Sequence, residues 1–514
     1  MKTALHILTL CTCVIVTDIM ATAQPWTPQV IWQQNGAGDS SLYGASVFAM
    51  GDQDDDGYMD WGVIVGGQWG QSGTPNEPRV ELFHGGNPPS NLPYLTFRPR
   101  SNEYEVYGGA SGDLNGDGHI DLCLQRQLRA NGDTNLVEIY YGGPGMDTIP
   151  NLIFHAPSLL LGYLLPMRDF NGDSFDDLYV YVHGNPNRGL VFFGGNPMDT
   201  LPDWAVNSSI GHDYLPYAQT FGDLNGDGFD DFVSYSVWTQ HMLYIFHGAA
   251  LPDTSPAAIW NTFADFPARI INDLNGDGRA ELVSTNSAEV HIHWGAQTIS
   301  PTPDAVLSWP GCTEYPLNIT SVGDLNRDGY KDFAVLSDYC DDDPWGKLCV
   351  YFGGPTPSSS PALEILGNTA PTNLMGIKSA AGLGDINGDS LADFAVGAWD
   401  NNPTGLRGHV VIVSGLAVNA EGPRSLVSRD LAMSVYPNPF NAQATVSLEI
   451  PRFCDVVRLT VFNLLGQAVH EGTLRNVIGS VHYPLDATAM SSGIYLLRAS
   501  AGSMQTMQKL VVLK

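Results

Sequence analysis

Apolar residues in this chain come in short runs rich in Val, Ile, Leu, Phe and Tyr, each bounded by Gly, Pro or Asp. β-branched and aromatic content with that punctuation marks strands rather than helices. One series covers 61–65, 122–125, 178–182, 232–236, 282–285, 333–336 and 394–398, each just after an acidic stretch. A second covers 80–83, 137–141, 190–193, 243–246, 290–294, 348–352 and 410–413 and runs out into Gly. Pro-rich turns such as 194–202 follow, and then a third series at 94–97, 152–154, 204–206, 258–260, 305–309 and 363–366. The third series is one member short. Its missing partner stands at the other end of the chain: 29–33, Gln-Val-Ile-Trp-Gln, resembles 257–261, Ala-Ala-Ile-Trp-Asn. The N-terminal strand is therefore expected to complete the last unit, leaving no free sheet edge at the junction.

The unit that repeats is an acidic loop, Asp-x-Asn/Asp-x-Asp-Gly-x-x-Asp. Seven copies begin at Asp52, Asp113, Asp169, Asp223, Asp273, Asp324 and Asp385, between 50 and 61 residues apart. A period of that size holds four short strands, the content of one propeller blade. The expected fold is all-β: a seven-bladed β-propeller over 24–415, a linker at 416–430, and a small C-terminal β-sandwich over 431–514, where apolar and polar residues alternate, as in Thr445-Val446-Ser447-Leu448-Glu449-Ile450. Residues 1–23 carry Lys2, an apolar run and Ala21-Thr22-Ala23, the pattern of an export signal cleaved before Gln24. No later run is long enough for a transmembrane helix.

Charge sharpens this picture. With 23 Lys+Arg against 54 Asp+Glu the formal net charge is −31, which excludes nucleic acid and anionic membranes as partners. The seven loops hold 25 of the 54 acids. Hard cations such as Ca²⁺ take six to eight oxygens. Positions 1, 3 and 5 offer Asp52, Asp54, Asp56; Asp113, Asn115, Asp117; Asp169, Asn171, Asp173; Asp223, Asn225, Asp227; Asp273, Asn275, Asp277; Asp324, Asn326, Asp328; and Asp385, Asn387, Asp389. Position 9 adds Asp60, Asp121, Asp177, Asp231, Glu281, Asp332 and Asp393, each able to bind with both oxygens. Up to seven Ca²⁺ are expected; without a cation, crowding should raise the carboxyl pKa values. The ligands include no His or Cys, which excludes soft metals. An EF-hand is rejected because the closing acid comes at position 9 and a strand follows. Ser174 and Ser390 replace the Gly of position 6, and Glu281 replaces Asp, so the third, fifth and seventh loops are expected to bind more weakly.

The repeats resemble the FG-GAP repeats of integrin alpha-subunit propellers. Tyr43-Gly44-Ala45-Ser46-Val47 running to Gly51-Asp52, with Asp56-Gly57-Tyr58-Met59-Asp60, carries the match, as does Ala380-Ala381-Gly382-Leu383-Gly384-Asp385 with Asp393-Phe394-Ala395-Val396-Gly397-Ala398. The last 80 residues or so resemble the type A C-terminal sorting domain of the type IX secretion system, through Tyr436-Pro437-Asn438-Pro439-Phe440-Asn441, Val461-Phe462-Asn463-Leu464-Leu465-Gly466-Gln467, Ser492-Gly493-Ile494-Tyr495-Leu496-Leu497 and Lys509-Leu510-Val511-Val512-Leu513-Lys514. That resemblance implies the type IX machinery as a partner, passage across the outer membrane, and release or surface attachment.

Known catalytic motifs are missing from the sequence, so the leading expectation is a secreted or surface-attached, Ca²⁺-stabilised binding or adhesion module for an extracellular protein or glycan. The alternatives are a polysaccharide-active enzyme and a structural surface-layer component. The loops joining the first and second series are long in units one, two, six and seven, and three carry Trp: Trp69, Trp345 and Trp399, candidate ligand contacts. His291 and His293 read as packed or edge residues. Once the export signal leaves, five cysteines remain; Cys340–Cys349 is the expected pair, Cys312–Cys340 the alternative, and Cys123 a buried thiol.

Overall fold

Consecutive apolar runs pair antiparallel in chain order, so that hairpin follows hairpin. The computed structural model describes residues 29–36, 42–66, 77–101, 103–128, 135–156, 160–183, 187–207, 217–236, 242–261, 267–286, 288–310, 312, 318–341, 345–367, 376–398, 408–415, 432–436, 438, 440–441, 443–463, 466–488, 490–501 and 504–514. The export signal and the linker fall outside them. The described residues contain no helix. The chain separates into two compact units, divided between Val418 and Asn419.

The first unit consists of seven four-stranded sheets. In chain order, with strands A to D, sheet one is Tyr43–Gly51, Asp60–Val65, Arg79–Phe83 and Leu95–Phe97. Sheet two is Glu103–Gly112, Asp121–Leu128, Asn135–Tyr140 and Leu152–Ala156; sheet three is Leu160–Met167, Asp177–His183, Arg188–Phe192 and Trp204–Asn207. Sheet four is Tyr217–Gly222, Asp231–Ser236, Met242–Phe246 and Ala258–Asn261; sheet five is Ala268–Ile271, Glu281–Thr285, Glu289–His293 and Ala305–Ser308. Sheet six is Asn318–Gly323, Asp332–Ser337, Lys347–Tyr351 and Leu363–Leu366. Sheet seven takes Ile377–Gly384, Asp393–Ala398 and His409–Ser414 from one end of the sequence and Gln29–Asn35 from the other. Gln29 lies opposite Ser414 and Asn35 opposite His409, which is the strand pairing expected from the N-terminal run.

Packing explains why the B strands are apolar throughout and the D strands alternate. Asp332–Ser337 is buried at every position, whereas Trp204–Asn207 buries every second residue. Strand B is covered on both faces and strand D on one. Seven apolar clusters do the covering, and each joins two sheets. Leu82 and Phe97 of sheet one meet Leu122 and Tyr140 of sheet two. Corresponding clusters join sheets two and three, three and four, four and five, five and six, and six and seven. The remaining cluster joins sheet seven to sheet one through Trp32, Trp61, Val410 and Ile412. Trp32 is 4% exposed, meets Trp61 edge to face at 5.6 Å, and donates its indole N–H to the Ser90 carbonyl at 2.9 Å.

The second unit is one hydrogen-bonded sheet of five strands: Ala432–Tyr436, Gln443–Phe462, Ala468–Asp486, Gly493–Ala501 and Met504–Val512. Its 20-residue strand Gln443–Phe462 pairs along one edge with Ala468–Asp486. Along the other edge it pairs first with Ala432–Tyr436 and then, beyond a break in register after Ile450, with Gly493–Ala501. Val446 and Leu448 from the first half share one core with Leu459 and Val461 from the second and with Leu497 of Gly493–Ala501.

The cysteine pairing differs from the first expectation. Cys312 is bonded to Cys340, and Cys349 is a buried thiol outside that disulfide. Cys349 sits in mid-strand, opposite Val335 and Glu364, inside the core shared by sheets five and six. Cys123 is a buried free thiol, as expected. His291 and His293 are buried in strand C of sheet five.

Candidate metal centres

Each acidic loop joins strand A to strand B of its sheet, and its Asp residues turn back on the loop's own amides. In all seven loops the position 6 N–H donates to the position 1 carboxylate, at 2.7 to 3.0 Å. The position 7 N–H likewise donates to the carboxylate at position 5 in every loop, from Tyr58 to Asp56 through Leu391 to Asp389. At position 3, Asn115, Asn171, Asn225, Asn275, Asn326 and Asn387 each donate an amide N–H to the Asp two residues on. These Asx turns shape the loop around its acids before any ion arrives.

The position 9 acids do something the sequence reading missed. Asp60, Asp121, Asp177, Asp231, Glu281, Asp332 and Asp393 are all 0% exposed. Each accepts the N–H of position 2 of its own loop, from Gln53, Leu114, Phe170, Leu224, Leu274, Leu325 and Ile386. The second oxygen of Asp60, Asp121, Asp177, Asp231 and Asp332 takes the N–H of the Gly two residues beyond strand C: Gly85, Gly142, Gly194, Gly248 or Gly353. That Gly is required for space. A Cβ on Gly194 would lie 2.2 Å from the Asp176 carbonyl oxygen and 2.8 Å from that of Leu114 in the preceding loop. In the seventh loop Asp393 Oδ1 is buried with no hydrogen-bond partner among the described residues.

Burial raises these carboxyls well above the usual carboxylate range. It brings Asp121, Asp332 and Asp393 to about 7 and Asp177 and Glu281 to about 8, with the loops' other Asp residues adding to the rise. Crowding of carboxylates alone was the expected cause; the larger one is removal from water, offset in part by the amides.

Neighbouring loops are also bonded to one another. Asp176, Asp230 and Ala280 donate backbone N–H to the position 1 carbonyls Asp113, Asp169 and Asp223 of the preceding loops, at 2.8 to 3.0 Å. Met59 does the same to Asp385, so the first loop is bonded to the seventh. The position 7 side chains Phe175, Phe229, Arg279 and Tyr330 lie over Gly116, Gly172, Gly226 and Gly276, the position 4 glycines of the preceding loops. Those glycines have φ between 75° and 80°. Asp55 and Arg327 hold the same left-handed region at 60° and 59° without that freedom, and Ser174 and Ser390 hold it at position 6 at 73° and 67°. Position 4 strain therefore falls on the first and sixth loops too, which the sequence reading did not anticipate. Arg327 bonds the carbonyls of Asp389 and Ser390 in the seventh loop.

The donors fit a hard divalent cation: carboxylate, amide and backbone oxygens, with the buried Asp393 Oδ1 and Glu281 Oε1 without a hydrogen-bond partner among the described residues. Two loops bring carboxylates to a common centre. Asp52, Asp54 and Asp56, and separately Asp273, Asp277 and Glu281, place ligand oxygens within 4.8 Å of one another. The fifth loop thus gathers its acids although weaker binding is expected there; Glu281 reaches in because its side chain is longer. Of the aromatic candidates, Trp345 is half-buried and its carbonyl accepts N–H from Gly376 and Ile377 at 2.6 and 3.2 Å. Trp69 and Trp399 lie outside the described residues.

This arrangement of strand-bounded acidic loops agrees with what the chain is similar to. Residues 273–335 match the FG-GAP-like repeat, and residues 434–513 match the secretion system C-terminal sorting domain. The chain carries FG-GAP-like repeats and a type IX sorting domain. It is 23% identical to integrin alpha-5 of Xenopus laevis over 298 residues, 56% of this chain and 23% of that one. It is 24% identical to integrin alpha-8 of Mus musculus over 411 residues, 71% of this chain and 33% of the other, and 35% identical to integrin alpha-6 of Gallus gallus over 99 residues, 19% and 9% respectively. The chain thus spans a third or less of the length of these relatives. The sorting domain and the repeats make it a secreted or cell-surface protein.

Proposed function

We propose that residues 24–415 form one closed seven-bladed propeller that binds Ca²⁺ in its acidic loops and an extracellular protein or glycan on the opposite face, and that a C-terminal β-sandwich over 431–514 delivers it through the type IX machinery. One observation carries this reading: every sheet shares a core with two neighbours, sheet seven with sheet one included, while the loop bonds run across the same junction. A ring so joined presents all seven A–B loops on one face and all B–C loops on the other. Calcium then acts as a fastener, because neighbouring loops share hydrogen bonds and an ordered loop favours order in the next. The export signal at 1–23 and the linker at 416–430 complete the domain plan.

The likeness to integrin alpha chains supports a binding role rather than a catalytic one. The B–C loops of units one, two, six and seven, with Trp69, Trp345 and Trp399, are the proposed ligand wall. Glycan-array and pull-down binding of the mature protein, with and without Ca²⁺, tests this. Binding that survives Trp69→Ala, Trp345→Ala and Trp399→Ala together places the ligand elsewhere. Turnover of a polysaccharide would overthrow the binding reading.

A further inference from the structure

The first acidic loop differs from the other six in its donor chemistry. Asp54 stands at position 3, where every other loop has an Asn whose amide is tied to position 5. A carboxylate has no N–H to give, so Asp54 is not held in that way. Strand C of the same sheet runs out into His84; the equivalent residues elsewhere are Tyr141, Phe193, His247, Trp294, Phe352 and Ser414. The His84 ring stacks on Tyr94, centroids 3.9 Å apart and planes 12° from parallel. That stacking directs Nδ1 toward two carboxylates, 3.4 Å from Asp54 Oδ2 and 3.3 Å from Asp60 Oδ2. The nitrogen and one oxygen from each Asp lie within 4.8 Å of one another. The Tyr94 hydroxyl oxygen is buried without a hydrogen-bond partner among the described residues, close enough to Asp60 and Asp54 that both oppose its ionisation. His247 makes the informative contrast: its Nδ1 lies 3.0 Å from Asp231 Oδ1, but position 3 of that loop is Asn225.

We propose that Asp54, Asp60 and His84 form a second divalent-cation position beside the first loop's oxygen-only centre, one that takes a borderline ion of the Zn²⁺ or Co²⁺ class. Imidazole nitrogen suits such ions and is a poor donor for Ca²⁺. Two carboxylates and one imidazole leave the fourth tetrahedral position to water, the pattern of zinc sites that keep an exchangeable ligand. The unpartnered Tyr94 hydroxyl gives that water a hydrogen-bond partner. Asp52, Asp54, Asp55, Asp56 and Asp60 crowd this one loop, enough negative charge for two divalent ions. Asp54 stands in both groups of donors and connects the two centres. The site shares Asp54 and Asp60 with the calcium reading of this loop but does not depend on the other six loops binding calcium.

The test uses the full chain, stripped with chelator, saturated with Ca²⁺ and then titrated with Co²⁺ as a visible spectroscopic probe, with Zn²⁺ as competitor. The expected result is a cobalt absorption band that Zn²⁺ abolishes, lost in His84→Ala and in Asp54→Asn and kept in His247→Ala. Tyr94→Ala, which removes the ring that orients the imidazole, weakens cobalt binding about tenfold. The thermal shift produced by Ca²⁺ shows whether each variant is folded, and His84→Gln serves as a second variant of similar bulk. Cobalt binding unchanged in folded His84→Ala and His84→Gln overturns the proposal. Calcium stabilisation with no cobalt bound by the parent overturns it and leaves the calcium reading standing. A His84-dependent cobalt band without any calcium effect does the reverse.

Discussion

The two units of this chain reach a folded state by different means. The first repeats a small sheet and joins the copies twice over, by apolar cores between sheets and by polar bonds between loops. The second is one sheet of long strands with one core. Buried carboxylates at position 9 belong only to the first. They hold backbone amides but are costly to ionise away from water, which ties that unit's stability to protons and, through the proposed calcium binding, to cations. The second unit has no such loop, and removing cations should leave it in place.

The largest effect expected from separating the two is on export. Deleting 433–514 should leave the first unit folded and abolish its appearance outside the cell; normal secretion of the truncated chain, seen by immunoblot, would remove the sorting role. Next comes chelation. An ion bound only to the folded state at a thousandfold excess over its Kd contributes roughly 4 kcal/mol per site. Calorimetry with excess chelator should lower the transition of the first unit by tens of degrees and leave that of the second in place. Trp32→Ala follows. It empties a buried site between sheets seven and one, at about 3–5 kcal/mol, and loses the bond to Ser90. A change below 1 kcal/mol in denaturant unfolding would mean the N-terminal strand is dispensable.

The pH response should separate the units further. Asp121 and Asp332 at about 7 and Asp177 and Glu281 at about 8 keep protons in the folded state that an unfolded carboxyl releases near pH 4. A raised folded pKa gives stability that is present at low pH and lost as pH rises through that value. The cation-free first unit should therefore weaken between about pH 5 and pH 8. Calcium competes for the same oxygens only when they are deprotonated, so the stability it adds should grow over the same window. Melting temperatures across that range, with chelator and with calcium, should diverge; parallel curves would break the link between these carboxyls and the ion.

Much of the first unit was legible because its signals are local and repeated. The B and C strands appear where apolar runs follow each acidic loop, and the N-terminal strand was recognisable by its likeness to a D strand, Val-Ile-Trp at 30–32 beside Ala258, Ile259 and Trp260. What escaped depends on contacts between distant residues. That the acid at position 9 also holds backbone amides shows only in such contacts, as when Gly142 donates to Asp121 across 21 residues. The bond from Met59 to Asp385 joins residues at opposite ends of the unit. Cys340 is closer in sequence to Cys349, yet pairs with Cys312 because strand geometry, not spacing, sets which sulfurs meet. In the second unit the alternation marked strands, but a 20-residue strand that changes partner halfway runs on through Pro451, a residue that reads as a stop.

The finest distinction lies among the loops themselves. Ser174 and Arg327 both sit in the left-handed region, at φ 73° and 59°, where a side chain costs about 1 kcal/mol or more. Position 4 showed its demand only as Asn-Gly in five of the seven loops, a signal that Asp55 and Arg327 interrupt. Ser174→Gly removes the strain and keeps the amide that donates to Asp169 at 2.8 Å. After the extra freedom glycine gives the unfolded chain, a gain of about 1 kcal/mol or less should remain, a rise of about 2–4 °C per kcal/mol in melting temperature for a unit of this size. Ser390→Gly should behave alike, since its contact to Arg327 runs through the backbone carbonyl. Arg327→Gly relieves the same strain but removes the guanidinium that holds the carbonyls of Asp389 and Ser390. Those are charge-assisted bonds between neighbouring loops, and their loss should cancel the gain or exceed it. If Arg327→Gly stabilises as much as Ser174→Gly, the bonds between loops contribute nothing, and calcium should then fill each loop without regard to its neighbours.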